Sequence, residues 1–169
     1  HGAMYVPFIL GKKEYYRLLT SMFLHFDFSH LINNMLILVL LGRQLERVLG
    51  SVKYLVLYFL SGLAGNIVSG VYELYVKSYA VSAGASGAVF GVIGALFYIA
   101  VRNHGRVGNL SGKGIALMVF LSLYYGFTST GVNNLAHIGG FVSGFLLGIL
   151  LYRRHRVSDR SCSGKRYSE

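Results

Sequence analysis

The chain has 169 residues and a formal net charge of +10, yet only 13% of its residues are charged and 54% are hydrophobic. Soluble domains carry about 25% charged residues, so the composition excludes an ordinary soluble domain, and the uneven distribution of the basic residues argues against a nucleic-acid partner as the reason for the charge. One cysteine, Cys162 near the C-terminus, excludes a disulfide framework.

Residues 1–29 read as an interfacial segment. Tyr5, Phe8, Ile9, Tyr15, Tyr16, Leu18, Leu19 and Phe23 are interleaved with Lys12, Lys13, Glu14 and Arg17, a pattern that suits short helices at headgroup level. Residues 24–30 then turn the chain into the membrane, with Ser29 as the expected N-cap. Residues 30–152 form the core. It holds five stretches of roughly 18–21 residues apolar enough to cross a hydrocarbon layer: 31–49, 54–71, 83–101, 114–131 and 135–152. None is bounded like a signal peptide, and the apolar run at 6–10 is too short for one. Residues 153–169 form a basic tail, Ser-rich from Ser158 and expected to be disordered.

The basic residues are unevenly spread. Arg43, Arg47 and Lys53 separate the first two spans, Arg102, Arg106 and Lys113 the third and fourth, and Arg153, Arg154, Arg156, Arg160, Lys165 and Arg166 fill the tail. The opposite side has Lys12, Lys13, Arg17 and Lys77. The positive-inside rule makes the tail and both basic loops cytoplasmic. The expected protein is therefore a multi-pass integral membrane protein, of the plasma membrane, with a cytoplasmic C-terminus. The first, third and fifth spans then all start at the outer face. Five spans would leave His1 outside without an export signal, so one further spanning helix is expected upstream of it.

Each of those three spans opens on polar residues: His30 and Asn34; Ser86 within Gly84-Ala85-Ser86-Gly87; Asn134 and His137 within Ala136-His137-Ile138-Gly139-Gly140. Polar groups inside lipid are costly and mark function. Two glycine stripes follow them, Gly87, Gly91 and Gly94 in the third span and Gly140, Gly144 and Gly148 in the fifth. Small residues so spaced let helix backbones approach closely, which in parallel helices brings Ser86 and His137 together.

Each feature alone has a plainer reading. The stripes fit helix packing without chemistry, and Ser86 fits a hydroxyl bonded back to a carbonyl one turn earlier. His137 fits a core histidine satisfied locally, His30 and Asn34 fit interhelical hydrogen bonds, Asn33 and His25 could share either role, and Asn134 fits a helix cap. Together they supply a nucleophile, a base and oxyanion donors at one depth. The acids Glu14, Asp27, Glu46, Glu73, Asp159 and Glu169 all lie outside the third and fifth spans, so the arrangement favours a Ser-His dyad over a triad. No cofactor is implied, and the histidine spacing matches no metal motif.

The three polar signatures resemble those of the rhomboid intramembrane serine proteases, in order and on the corresponding spans. Glu14-Tyr15-Tyr16-Arg17 is similar to that family's Trp-Arg element, with Tyr16 in place of Trp, and Glu46-Arg47-Val48-Leu49-Gly50 to its Glu-containing end of the second span. The resemblance covers residues 12–152. It implies an all-α membrane protein with a six-helix bundle, of which five helices are present, the upstream helix being the family's first. It also implies a catalytic dyad of Ser86 and His137, an oxyanion hole of Asn34, His30 and the Ser86 N–H, and supporting roles for Gly84, Gly87, Phe90, Gly140 and Gly144. Phe90 stands where tyrosine is frequent and should lie beneath the histidine ring.

The activity expected is endopeptidase cleavage of transmembrane segments, with single-pass or multi-pass membrane proteins as substrates and the bilayer as partner. Residues 127–133, rich in Gly, Ser and Thr, are the expected cap over the site. A non-catalytic relative that binds membrane clients is the alternative, although such a protein would lack Ser86 or His137. A transporter would need more ionisable residues within the spans.

Overall fold

Pro7 opens the first short helix, α1 (Val6–Gly11), at a position where its missing N–H costs no hydrogen bond. The computed structural model, which describes residues 2–128 and 131–153, continues through α2 (Arg17–Thr20) into a 3-10 turn at Ser21–Phe23. Arg17 is buried; its guanidinium donates to the Ala3 carbonyl at 2.8 Å and to the Glu14 carboxylate at 2.5 Å. This pairing pins the N-terminal segment over the bundle.

The chain then bends by 90° into a continuous helical run, Phe28–Leu49. It comprises α3 (Phe28–Ile37), a π segment (Leu38–Gly42) and α4 (Arg43–Leu49). Asp27, and not Ser29, is the N-cap: its backbone is extended and its carboxylate accepts the His30 N–H at 2.8 Å, while Ser29 already lies inside the helix. Gly42 closes the π segment against Tyr54, where a Cβ would lie 2.6 Å from the phenol oxygen.

Gly50, with φ +83°, makes the sharp turn into α5 (Ser51–Val76). At 26 residues, α5 outruns the expected 54–71 stretch and ends only at Lys77, which adopts a left-handed C-cap. The extension draws Glu73 into the helix, 8% exposed, an ionisable residue where the sequence reading expected none. The third span, α6 (Ser86–Arg102), starts three residues later than expected because Gly84 is held at φ +144°. A two-residue hairpin, β1 (Arg106–Val107) with β2 (Leu110–Ser111), pairs Arg106 with Ser111 and leads into α7 (Gly112–Thr128). The last helix, α8 (Asn134–Leu151), is capped by Asn133 rather than Asn134, through Oδ1 and the Ala136 N–H at 3.0 Å.

This is a helical membrane bundle. By length and composition α5 and α8 can each cross a membrane, and the bent pair Arg17–Phe23 with Phe28–Leu49 qualifies when taken as one span. The apolar α6 is 17 residues, about 25 Å long. It is buried from Gly87 to Leu96, so protein surrounds it and its length need not match the hydrocarbon thickness.

Helices α5, α6 and α8 pack backbone to backbone. A Cβ built on Gly140 would fall on the Gly87 carbonyl, one on Gly144 on the Gly91 carbonyl, and one on Gly94 on the Phe141 carbonyl. The third wall comes from α5, where a Cβ on Gly65 would lie 2.5 Å from the Ala136 oxygen. Such approach lets dispersion and Cα–H···O contacts replace the hydrophobic effect, which lipid does not supply between helices. The interior is divided along its length. Leu41, Leu45, Leu57, Leu96 and Ile99 fill one end, while the buried polar residues Asn34, Asn66, Ser69, Glu73, Asn134 and His137 gather at the end where α6 and α8 begin. The basic tail beyond residue 153 lies outside the described residues, as do residues 129 and 130 of the expected cap loop.

Candidate active site

Ser86 is the first residue of α6. The N-cap before it, Ala85, has no side-chain acceptor to offer, and the first helical bond at this end runs from the Val89 N–H to the Ala85 carbonyl. The amides of Ser86, Gly87 and Ala88 are therefore the orphan donors of a helix start, aligned with the positive end of its dipole. The strained Gly84 explains how the chain reaches this point. A Cβ there would lie 2.7 Å from His30 Cε1 and 2.9 Å from His30 Nε2, so glycine admits the imidazole edge to within reach of the Ser86 turn.

His137 lies in the first turn of α8, 8% exposed, and its Nε2 is 2.8 Å from Ser86 Oγ. With Nε2 accepting the hydroxyl proton, the neutral ring carries its own proton on Nδ1. That nitrogen is buried and has no hydrogen-bond partner among the described residues. Among the described residues no carboxylate orients the ring. Phe90, one turn after Ser86 on the same face of α6, stacks on it instead, with ring centroids 4.4 Å apart and planes within 6°.

Asn34 projects from α3, 4% exposed, with its Nδ2 buried and unpaired among the described residues. An amide donor left without a partner costs about 1–3 kcal/mol, so the Asn34 amide has a hydrogen bond still to give. His30, one turn earlier, is edge-on to His25 at 5.0 Å and stacked against Phe26 at 6.4 Å. Burial and then the neighbouring His30 push the His25 imidazole below the ordinary histidine range, opposed in part by the Phe23 carbonyl and by Asp27.

Ser86, His137, Asn34 and His30 open on one cleft of about 810 Å³. Its lining includes His30, Asn33, Asn34, Gly84, Ser86, Gly87 and His137, joined by Phe26, Leu121 and Val132. Among the supporting residues of the sequence reading, Gly84, Gly87 and Phe90 touch the site, while Gly140 and Gly144 act one layer away, in the α6–α8 contact. Asn134 does not line it, and its Oδ1 is buried and unpaired among the described residues.

The sequence reading missed a polar row on α5. Asn66 donates to the Leu18 carbonyl at 2.7 Å and to Ser21 Oγ at 3.0 Å, tying α5 to the N-terminal segment, and it also lines the cleft. Ser69, one turn on, accepts from Asn133 Nδ2 at 2.6 Å. The signal was present: Ser61, Gly62, Gly65, Asn66, Ser69 and Gly70 recur at helical spacing, as the glycines of the other two helices do.

Sequence comparison identifies the family of the chain. The family model of the Rhomboid domain matches residues 12–154. The chain is 37% identical over 143 residues to "Rhomboid protease GluP" of Bacillus subtilis, an alignment covering 85% of this chain and 27% of that protein. It is 38% identical over 151 residues to "RHOMBOID-like protein 7" of Arabidopsis thaliana, covering 89% of this chain and 47% of that one. With "Putative rhomboid protease YdcA" of B. subtilis the identity is 34% over 145 residues, or 86% and 71% of the two chains. The chain thus spans less than half the length of the first two of these relatives.

Proposed function

This chain belongs to the rhomboid family, and we propose that it is an intramembrane serine endopeptidase that cuts transmembrane segments of other membrane proteins with a Ser86–His137 dyad. The observation that carries the reading is the 2.8 Å contact between Ser86 Oγ and His137 Nε2 in a cleft that also holds spare hydrogen-bond donors.

His137 Nε2 takes the hydroxyl proton as Ser86 Oγ attacks the scissile carbonyl. The oxygen that becomes negative is stabilised by the Ser86 N–H, by Asn34 Nδ2 and by His30. Preorganised donors of this kind are worth about 2.7–4 kcal/mol each. The imidazolium then protonates the leaving amine, and the tetrahedral intermediate collapses to an acyl-enzyme. Water, deprotonated by the same Nε2, attacks the ester carbonyl, and the imidazolium returns that proton to Oγ as the ester bond breaks, releasing the acid product and restoring the Ser86 hydroxyl. Phe90 keeps the imidazole plane fixed through these transfers, and the low local polarity strengthens each hydrogen bond.

The substrate strand must be extended for its carbonyl to reach Ser86, so substrates are membrane proteins whose spanning helix is weakened by Gly, Pro or polar residues near the bilayer edge. Arg43 and Arg47 of α4 with Lys53 at the start of α5, Arg102, Arg106 and Lys113 around the α6–α7 connection, and the basic residues beyond α8 support a plasma-membrane orientation with the C-terminus in the cytoplasm and the cleft outside. The test is direct. The wild-type chain should react with a fluorophosphonate probe at Ser86 and cleave a transmembrane reporter; absence of both activities would leave client binding as the better reading.

A further inference from the structure

Asn133 touches the supports of both members of the proposed dyad. Its Oδ1 caps α8 through the Ala136 N–H, and its backbone carbonyl accepts the His137 N–H at 3.2 Å. Its Nδ2 donates to Ser69 Oγ on α5 at 2.6 Å and to Ser82 Oγ at 3.0 Å. Ser82 is itself clamped, exchanging two backbone hydrogen bonds with Met4 at 2.8 and 3.0 Å. Asn133 stands four residues before His137, and Ser82 stands four before Ser86. One amide therefore fastens the approach to the base onto the approach to the nucleophile. A helix cap needs only the acceptor oxygen. The two Nδ2 bonds do nothing for the helix and leave no hydrogen of the amide unused.

We infer that Asn133 is a positioning residue: by tying the start of α8 to Ser82 and Ser69 it sets the rotation and height of His137 relative to Ser86. The glycine contacts farther along α6 and α8 fix how closely the helices approach. They fix the separation of the helices, from Gly87 and Gly140 onward, and the Asn133 tie fixes how the outer ends turn and slide at that separation. The inference rests on the protease reading and adds to it a residue that lines the cleft and acts on His137 and Ser86 through the segments that carry them.

The full chain in detergent provides the test, with three readouts: the rate of fluorophosphonate labelling at Ser86, kcat and KM on a transmembrane reporter, and Tm. Asn133→Ser keeps a capping oxygen but cannot reach Ser69 and Ser82. Asn133→Asp keeps the cap, and both serine hydroxyls can turn to donate to the carboxylate. Misplacement by about 1 Å costs on the order of 100-fold, so Asn133→Ser should lower labelling rate and kcat by about 10- to 100-fold. Its KM should stay within about twofold, and Asn133→Asp should return the rate to within about threefold of wild type. Equal rates in wild type and Asn133→Ser, or equal losses in the Ser and Asp variants, would overturn the inference. Should Asn133→Ser fail to fold, Ser82→Ala removes one tie and leaves the cap; a wild-type labelling rate there overturns the inference too. Failure of the wild-type chain to label at all is a separate result, which overturns the protease reading and this inference with it.

Discussion

Gly144 of α8 lies so close to Gly91 of α6 that a Cβ on Gly144 would coincide with the Gly91 carbonyl group. Gly87, at the site itself, is less confined: its Cβ would meet the Ala136 oxygen at 3.5 Å, an ordinary contact. The two glycines therefore respond differently to the same substitution. Gly144→Ala should cost about 1–3 kcal/mol, the usual range for overpacking, and lower Tm and activity together. Gly87→Ala should leave Tm near wild type, and only Gly87→Val should reach the loss seen with Gly144→Ala. Thermal unfolding in one detergent compares all three; equal Tm losses in the two alanine variants would contradict the packing described here.

Ser86→Ala and His137→Ala should each lower reporter cleavage by about 10³-fold or more, because members of a catalytic unit fail together. Ser86→Ala removes one oxygen from a half-exposed position and should leave Tm unchanged. Purified variants assayed beside wild type decide the matter, and substantial turnover by either would rule out the dyad.

Asn34→Ala should reduce kcat by roughly 10- to 1,000-fold, the scale for one oxyanion donor. Because the Asn34 amide is buried without a partner among the described residues, removing it also removes a desolvation cost. Tm should therefore hold while kcat falls. A structural amide would behave in the opposite way, with Tm lost first.

Phe90→Tyr should preserve the stacked face beneath His137 and keep kcat within about threefold, whereas Phe90→Ala should lower both kcat and Tm, since a buried Phe→Ala change costs about 3–5 kcal/mol. Fluorophosphonate labelling separates the two effects: at a temperature where both variants are folded, Phe90→Ala should still label more slowly. Labelling at the wild-type rate would show that something other than the stack orients the imidazole.

The parts of the site that were legible in the sequence are those where a polar residue interrupts an apolar run. His30, Asn34, Ser86 and His137 stand out because lipid makes each of them expensive, and the glycine stripes of α6 and α8 stand out because they recur every three or four residues. The same stripe in α5 went unread: Ser61, Asn66 and Ser69 are small, polar and unmotivated until α5 is seen wedged against Ala136 and Ser21. The start of α3 was misread for a local reason. Asp27 and Ser29 both suit a cap, and only the extended backbone at Asp27 decides between them. Asn133 was hidden by its neighbour, since either asparagine of the pair could have capped α8, and the choice depends on Ser69 and Ser82, 64 and 51 residues away.

Glycine has no rotamers. Where α6 and α8 meet through Gly87, Gly91, Gly140 and Gly144, the spacing between the two helices is a property of main-chain atoms, with no side chain in between to hop, shrink or be exchanged. The separation of the two helices that carry Ser86 and His137 is in that sense ruled by covalent geometry, and the Asn133 tie sets how their outer ends sit at that separation. The outward-facing residues of α8, Val142, Leu146, Ile149 and Leu150 among them, carry no share of it. They can drift with the thickness and composition of the surrounding lipid, so a chimera that exchanges that whole outer surface should keep the Ser86–His137 separation of its parent.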